Sequence, residues 1–127
     1  MKTRFDSTKV WRAYNDELPI SEMETAHLIN TISMFIKHPE RVMSMLVRDI
    51  ERYRDSVMTA WTADGSEDNV VRESLHNVTS MSNTELSSYA LNSALGKAII
   101  GELENRGANT ENLITEALNA VNLELDK

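Results

Sequence analysis

The sequence has no cysteine, and aromatic residues make up only 6% of its 127 residues. Without cysteine, the chain has no disulfide bonds, no thiolate metal ligands and no cysteine nucleophile. The aromatic residues Trp11, Tyr14 and Trp61 are too few and too scattered to form a base-stacking platform for nucleic acid. Methionine supplies seven of the apolar positions, so we expect an adaptable core or interface rather than a rigid one.

The sequence also lacks any segment approaching the roughly 20 apolar residues that are needed to span a bilayer. The N-terminal segment MKTRFDSTK has no apolar stretch of the kind that secretory signals carry. We therefore expect a soluble intracellular protein with no membrane partner.

Basic residues are the scarcer charged type, since 13 Lys and Arg stand against 20 Asp and Glu and the formal net charge is −7. Binding along duplex nucleic acid depends on Lys and Arg displacing counterions from phosphates. This balance therefore argues against duplex nucleic acid as a partner. An acidic surface suits a basic partner or mimicry of nucleic acid, but acidity also simply keeps many small domains soluble.

The chain is predicted to form a single helical domain over residues 1–127, with an extended ribbon at its N-terminus. Over residues 8–20 the side chains follow the alternating pattern of β-strands, and Asn15-Asp16 supplies a turn between them. This pattern predicts two short antiparallel strands. Pro19 is compatible with such a ribbon only at an edge. Because an isolated ribbon is marginally stable in water, we expect it to pack on helices or on another chain.

Residues 21–61 predict a helical hairpin. Ser21-x-x-Glu24 has the pattern of a capping box at the start of the first helix, and Pro39 ends that helix and suits the first turn of the second. The second helix carries apolar residues at spacings of three and four, a heptad seam that packs on the first helix, on another chain, or on both. The predicted apolar face of the first helix consists of Met23, Leu28, Ile32, Phe35 and Ile36.

Residues 66–123 predict the C-terminal helices. Ser66 caps a short helix, the capping box Ser82-x-x-Glu85 opens a long helix, and Gly107 ends that helix as its C-terminal cap. A last helix follows over about 110–123. The predicted fold class is mainly α: a hairpin or bundle of about four to five helices with a short N-terminal β-ribbon.

Two glycines, Gly96 and Gly101, lie inside the long predicted helix among small residues. This clustering predicts the close approach of a neighbouring helix backbone.

The sequence shows no catalytic or metal-binding pattern. Its three histidines, His27, His38 and His76, are separated by 11 and 38 positions, whereas a zinc site needs three or four converging ligands, usually at short spacing. His27 lies at i+3 from Glu24, where an ion pair or a partly buried imidazole is ordinary. Since no nucleophile with a placed base is evident, we expect a protein that is not an enzyme and that binds no metal or cofactor.

The second helix carries the most distinctive electrostatic feature. Arg41, Arg48 and Arg52 recur at i, i+7 and i+11 and therefore share one face, which predicts a site for an anion or phosphate, especially if an oligomer brings two copies together. His27 is a further candidate ligand-binding residue. The acidic residues between the arginines support the alternative of an ordinary solvated face, in which Arg52 pairs with Asp55.

A second set of candidate residues would form an interface with another chain. The tryptophans either anchor the ribbon or supply interface hot spots, and the heptad seam offers a continuous apolar stripe. The predicted interface residues are Trp11, Met43, Leu46, Ile50, Tyr53 and Trp61.

The stretch WRAYNDELPISEMETAHLINTI resembles a motif of small tailed-bacteriophage accessory proteins, which have a ribbon with an aromatic residue, an Ile-x-x-Met start and a His-Leu-x-Asn helix. The end of the long helix, Glu102-Leu103 with Arg106-Gly107, resembles their Glu-Leu-x-x-Arg-Gly ending. The resemblance implies a phage protein that acts in the host bacterial cytoplasm, in a class rich in inhibitors of host proteins and defence systems. It implies no catalytic residues. The matching residues of the first motif are Trp11, Ile20, Met23, His27, Leu28 and Asn30.

These observations lead to two hypotheses about function, one of protein–protein interaction and one of small-ligand binding. In the first, the protein is an acidic helical homo-oligomer that binds a host or phage protein and inhibits or redirects it, for example as a counter-defence factor. In the second, it is a sponge for a nucleotide signal or another small anionic ligand, which the arginine face binds together with His27 or Tyr14.

Overall fold

A computed structural model of the protein describes residues 2–13, 16–59 and 66–125. Within those ranges it confirms the predicted fold class, mainly helical with a short antiparallel ribbon at the N-terminus. None of the described helices is both long enough and apolar enough to cross a membrane. The elements are β1 (Val10–Ala13), β2 (Asp16–Pro19), α1 (Thr25–Lys37), α2 (Pro39–Thr59), α3 (Ser66–Thr79), α4 (Asn83–Asn92), α5 (Ala94–Asn105) and α6 (Thr110–Leu125).

A short 3₁₀ helix, Arg4–Asp6, precedes the ribbon and was not predicted. Thr3 caps it, because its hydroxyl accepts the N–H of Phe5 at 3.3 Å while the Asp6 carboxylate accepts the Thr3 N–H at 2.9 Å. This places Phe5 in the core, fully buried, with its ring centroid 5.7 Å from the centroids of both Phe35 and Tyr89. The N-terminal segment is therefore an integral part of the packing.

The ribbon packs on the helices through Trp11. β1 and β2 pair in antiparallel register, with Trp11 opposite Leu18 and Val10 opposite Pro19. Pro19 is the last residue of β2, where the lack of an N–H is tolerated. The Trp11 ring lies 6.2 Å from that of Phe35, so the expected packing of the ribbon on helices is confirmed. The predicted turn at Asn15 lies outside the described residues.

The start of α1 corrects one prediction. Ser21 lies within a second 3₁₀ helix, Ile20–Glu22, and α1 begins only at Thr25. Glu24 occupies the N-cap position but forms no side-chain capping hydrogen bond. The predicted capping box of Ser21 and Glu24 is therefore wrong.

A distant arginine holds this turn in place of the capping box. The Arg106 guanidinium, at the end of α5, donates through Nη1 to the carbonyl oxygen of Met23 at 2.7 Å and to Oγ1 of Thr25 at 3.1 Å. Its Nη2 donates to the carbonyl oxygen of Ser21 at 3.1 Å. Because these acceptors precede or begin α1, Arg106 fixes the start of the helix from outside it.

The predicted hairpin forms, and its second helix is covered by the chain itself. α2 begins at Pro39, as expected, and packs chiefly on α3 and α4 as well as on α1. In its seam Leu46 and Ile50 are buried, and Val42, which was not predicted, is fully buried. Helices of the same chain therefore cover the seam over residues 42–50. The predicted core face of the first helix is confirmed, since Met23, Leu28, Ile32, Phe35 and Ile36 are all buried.

The long helix predicted over 82–107 is two helices. The capping box of Ser82 and Glu85 is present and opens α4. The chain leaves the helical conformation at Ser93, whose hydroxyl oxygen accepts the N–H of Gly96 at 3.0 Å and so caps α5. This break is why six described helices replace the expected four to five.

The predictions for the glycines have different outcomes. A Cβ on Gly96 would lie 2.2 Å from the carbonyl oxygen of Ala90, so a close backbone approach is confirmed there, made by the end of α4. Nothing lies within 4 Å of a Cβ on Gly101, so the same prediction is wrong there. Gly107 has a φ of +86° just after α5, which confirms its predicted role as a C-terminal cap.

Candidate functional site

Two polar stripes, one on α1 and one on α2, line a single cleft. Each follows the i, i+3, i+4, i+7 spacing that places residues on one face of a helix. We call this site the cationic cleft; its volume is about 530 Å³, within the range of small-molecule sites. It is lined by His27, Asn30, Thr31 and Met34 of α1, by Arg41, Ser44, Met45 and Arg48 of α2, and by Arg4 and Trp11 from the N-terminal segment.

The charge of the cationic cleft is opposite to that of the whole chain. The chain has a formal net charge of −7, yet the described residues of the lining contribute guanidinium groups and an imidazole and no carboxylate. Arg41 and Arg48 are exposed and form no ion pair with any residue that the structure describes. The cleft therefore presents two uncompensated positive charges.

Trp11 contributes a hydrogen-bond donor that lacks an acceptor. Its side chain is 4% exposed, and its indole Nε1 is buried without a partner among the described residues. An unpaired buried donor costs about 1–3 kcal/mol, and such groups are rare in native proteins. Trp11 is one of the residues that line the cationic cleft.

Arg4 connects the walls of the cleft. Its Nε and Nη2 donate to Oδ2 and Oδ1 of Asp49 at 3.1 and 3.0 Å, and its backbone N–H donates to Oδ2 at 2.8 Å. Its remaining nitrogen, Nη1, donates to the carbonyl oxygen of Arg12 in β1 at 3.1 Å. This bidentate pair fixes the guanidinium in the plane of the carboxylate. It thereby holds the strand that carries Trp11 against the helix that carries the two uncompensated arginines.

A second cleft, of about 490 Å³, adjoins the cationic cleft at Arg4, which lines both. Arg52 lies in this second cleft, whereas Arg41 and Arg48 line the first. The three arginines are therefore divided between two adjoining clefts rather than lining a single one. The physical reason is that the Arg4 side chain, anchored on Asp49, lies between them. Asp55, the predicted partner of Arg52, forms an ion pair with Arg54 at 3.9 Å.

The histidines are not brought together. His27 is half-buried in the cationic cleft, while Nδ1 of His38 lies 3.0 Å from Oε1 of Glu40 and His76 is exposed on α3. In the described ranges, no three His, Asp or Glu side chains are close enough to hold a metal ion. Of the predicted ligand-binding residues, three line the same cleft: His27, Arg41 and Arg48. Guanidinium groups are the side chains best suited to bind an anion there.

The predicted interface residues lie mostly inside the chain. Trp11, Leu46 and Ile50 are core residues, exposed by 4%, 3% and 2%. Their burial within the chain corrects the expectation that these three side chains contact a partner. Met43 and Tyr53 are partly buried against the same core. Trp61, and with it Tyr14 of the second hypothesis, lies outside the described residues.

The sequence pattern did not reveal every residue of the site. Arg4, which Asp49 anchors, and Trp11 belong to it only because the N-terminal segment packs on α2, a long-range contact. The sequence does contain a pattern that indicates the two helical walls. The spacing i, i+3, i+4, i+7 begins once at His27 and once at Arg41, on either side of the helix junction at Pro39.

Comparison of the chain with protein-family models, with curated proteins and with solved structures gives no match. The resemblance to bacteriophage accessory proteins therefore stays a prediction. The chemistry of the cationic cleft is the observation that bears most directly on function.

Proposed function

We propose that the protein is a non-enzymatic binding protein that holds a small anionic ligand in the cationic cleft. The observation that supports this most is the meeting of two uncompensated arginines in one cleft whose lining includes Trp11, a residue with an unpartnered indole N–H. Guanidinium groups bind phosphate and carboxylate through paired, charge-assisted hydrogen bonds. The indole N–H adds one further donor and cannot accept.

The rest of the lining supports binding rather than catalysis, and an organic ligand rather than a bare ion. Among the described lining residues there is no carboxylate to orient His27 as a general base. Met34 and Met45 add flexible apolar surface, which adapts to an organic group. The ligand class that fits is a small molecule with a phosphate or carboxylate group and an apolar or planar body, such as a mononucleotide.

Isothermal titration calorimetry with adenosine monophosphate, inorganic phosphate and a dicarboxylate tests the proposal. We expect the wild type to bind at least one of them and the variant Arg41→Ala/Arg48→Ala to bind it about 100-fold more weakly, since two charge-assisted contacts are lost. Arg54→Ala is the matched control, because Arg54 lies on the same helix and lines neither cleft. Binding of none of the three ligands, or equal binding by the double variant, would refute the proposal.

Trp11 supplies a second, spectroscopic readout. The chain contains two tryptophans, so the variant Trp61→Phe leaves Trp11 as the only one. If the ligand accepts a hydrogen bond from the indole, its binding should shift the emission of Trp11 with the same dissociation constant as calorimetry gives. Unchanged emission at saturating ligand would show that the indole N–H takes no part in binding.

The other hypothesis, inhibition of a host protein by a phage homo-oligomer in the host bacterial cytoplasm, stays a proposal from the sequence. The described large apolar side chains that are exposed, Leu18, Val70, Tyr89 and Leu118, each lie on a different element, so they do not form a stripe along one helix. Retention of a bacterial protein at stoichiometric level on the immobilised chain would support this hypothesis. Repeated failure to retain one would count against it, and light scattering would establish the oligomeric state.

A further inference from the structure

The cationic cleft and the second cleft run side by side along α2. Arg48 lines the first and Arg52 the second, and they are four residues apart, which corresponds to a rise of about 6 Å along the helix. Arg4 lines both clefts. One ligand can therefore contact both arginines while it lies across the side chain of Arg4.

The second cleft is also available to an anion. The two carboxylates among its described lining residues are already engaged, because Asp49 binds Arg4 and Glu17 forms an ion pair with Arg12. Lys2 and Arg52 are both exposed and form no ion pair with a described residue. The positive charge that remains for a ligand in this cleft thus comes from Lys2 and Arg52.

Each cleft pairs its uncompensated cations with surface suited to an organic group. In the cationic cleft this surface comes from the two methionines, Met34 and Met45, and in the second cleft the half-buried aromatic side chain of Tyr53 is part of the lining. An aromatic ring next to cations is the combination that binds single nucleotides, since every base has a face that can stack. Uncompensated cations beside a surface suited to an organic group therefore occur twice, once on each side of Arg4, and the second cleft supplies the aromatic ring.

We infer that the ligand carries two phosphoryl groups, one bound in each cleft, and is a short dinucleotide rather than a mononucleotide. This inference rests on the proposed function and deepens it, because it assigns Lys2 and Arg52 to a second phosphate subsite of the same site. Arg41 and Arg48 bind the first phosphate, and Arg4, fixed by Asp49, forms the ridge between the two.

The test compares adenosine monophosphate with the linear dinucleotide pApA, which has two phosphates, by calorimetry. We expect the wild type to bind pApA at least about tenfold more tightly, as one further charge-assisted contact predicts. Arg52→Ala should bring the affinity for pApA close to that for the mononucleotide and leave the latter unchanged. Arg54→Ala should alter neither affinity. Arg52 is exposed, so its replacement leaves the core intact, and equal midpoints of thermal unfolding verify this.

Salt dependence gives an independent measure. The slope of the logarithm of affinity against the logarithm of salt concentration should be steeper for pApA by about 0.7, the value for one further phosphate on a single strand. A tetranucleotide should bind no more than about twofold more tightly than pApA on account of its extra binding registers.

The outcomes separate the two proposals. Equal affinities for the mononucleotide and pApA, or an Arg52→Ala variant that weakens both alike, would overturn the second subsite and leave the proposed function standing. A tenfold gain for the tetranucleotide would overturn the limit of two phosphates. Retention of pApA binding by Arg41→Ala/Arg48→Ala would instead refute the proposed function itself.

Discussion

The buried ion pair of Arg4 and Asp49 leads to a quantitative prediction about stability. Replacing Asp49 by alanine removes the acceptor of three hydrogen bonds from Arg4 and leaves an 8% exposed guanidinium without its counter-charge. Removal of one partner from a buried ion pair costs about 3–5 kcal/mol. Since domains of this kind are stable by about 5–15 kcal/mol, we expect Asp49→Ala to remain folded at 25 °C with a much lower midpoint of urea unfolding.

A double-mutant cycle isolates the contribution of the pair. Its members are Asp49→Ala, Arg4→Met and the double variant, and the free energy of unfolding of each is measured by urea titration. Because the double variant leaves no unpaired charge, we expect a coupling free energy of at least about 2 kcal/mol. Glu17→Ala is the matched control, since it breaks an ion pair whose side chains are 42% and 52% exposed and should cost less than about 1 kcal/mol.

Two results would refute this reasoning. One is a loss of less than about 1 kcal/mol in Asp49→Ala, which would mean that the guanidinium finds solvent as readily as Asp49. The other is a double variant whose decrease in the free energy of unfolding equals the sum of the decreases in the two single variants. Such additivity would show that Arg4 and Asp49 stabilise the fold independently.

Two further predictions concern backbone positions and are measured by urea unfolding. Gly96→Ala should lower the free energy of unfolding by about 2 kcal/mol or more, because its Cβ would lie 2.2 Å from a backbone oxygen. Gly101→Ala, with open space around its Cβ, should raise the free energy of unfolding by up to about 1 kcal/mol. Equal effects of the two substitutions would contradict the steric argument. Ser82→Ala should lower the free energy of unfolding by about 1 kcal/mol through loss of its capping box. Because Ser21 caps no helix, Ser21→Ala should leave the free energy of unfolding within about 0.5 kcal/mol of the wild-type value. A larger loss in Ser21→Ala would support the predicted capping box of Ser21 and Glu24.

Local patterns predicted the fold where the partners lie within a few residues. The capping box of Ser82 and Glu85 and the cap at Gly107 depend on contacts within about one or two helical turns, and the core face of α1 follows from the helical spacing of its apolar residues. The failure at Ser21 has the opposite cause. The acceptors at the start of α1 bind Arg106, which is 83 residues away from Met23, and no local pattern contains that contact.

The same distinction applies to the candidate site. Charge spacing on α2 predicted Arg41 and Arg48, and a lone histidine one turn into α1 drew attention to His27. The position of Arg52 was not predictable, because it depends on where Arg4 lies, and Arg4 reaches Asp49 across 45 positions of the sequence. Sequence spacing therefore predicted which cations share a helix face but not which of them share a cleft.

The contrast between an acidic chain and cationic clefts limits the length of the ligand that we propose. At physiological ionic strength the Debye length is about 8 Å, so Arg41, Arg48 and Arg52 act on groups within or close to the two clefts. A longer polyanion would extend over the remaining surface, where the net charge of −7 repels it. A short ligand gains the attraction without the repulsion. The composition that argues against duplex nucleic acid is therefore compatible with a site for a small phosphorylated molecule, and it favours that molecule over a long strand.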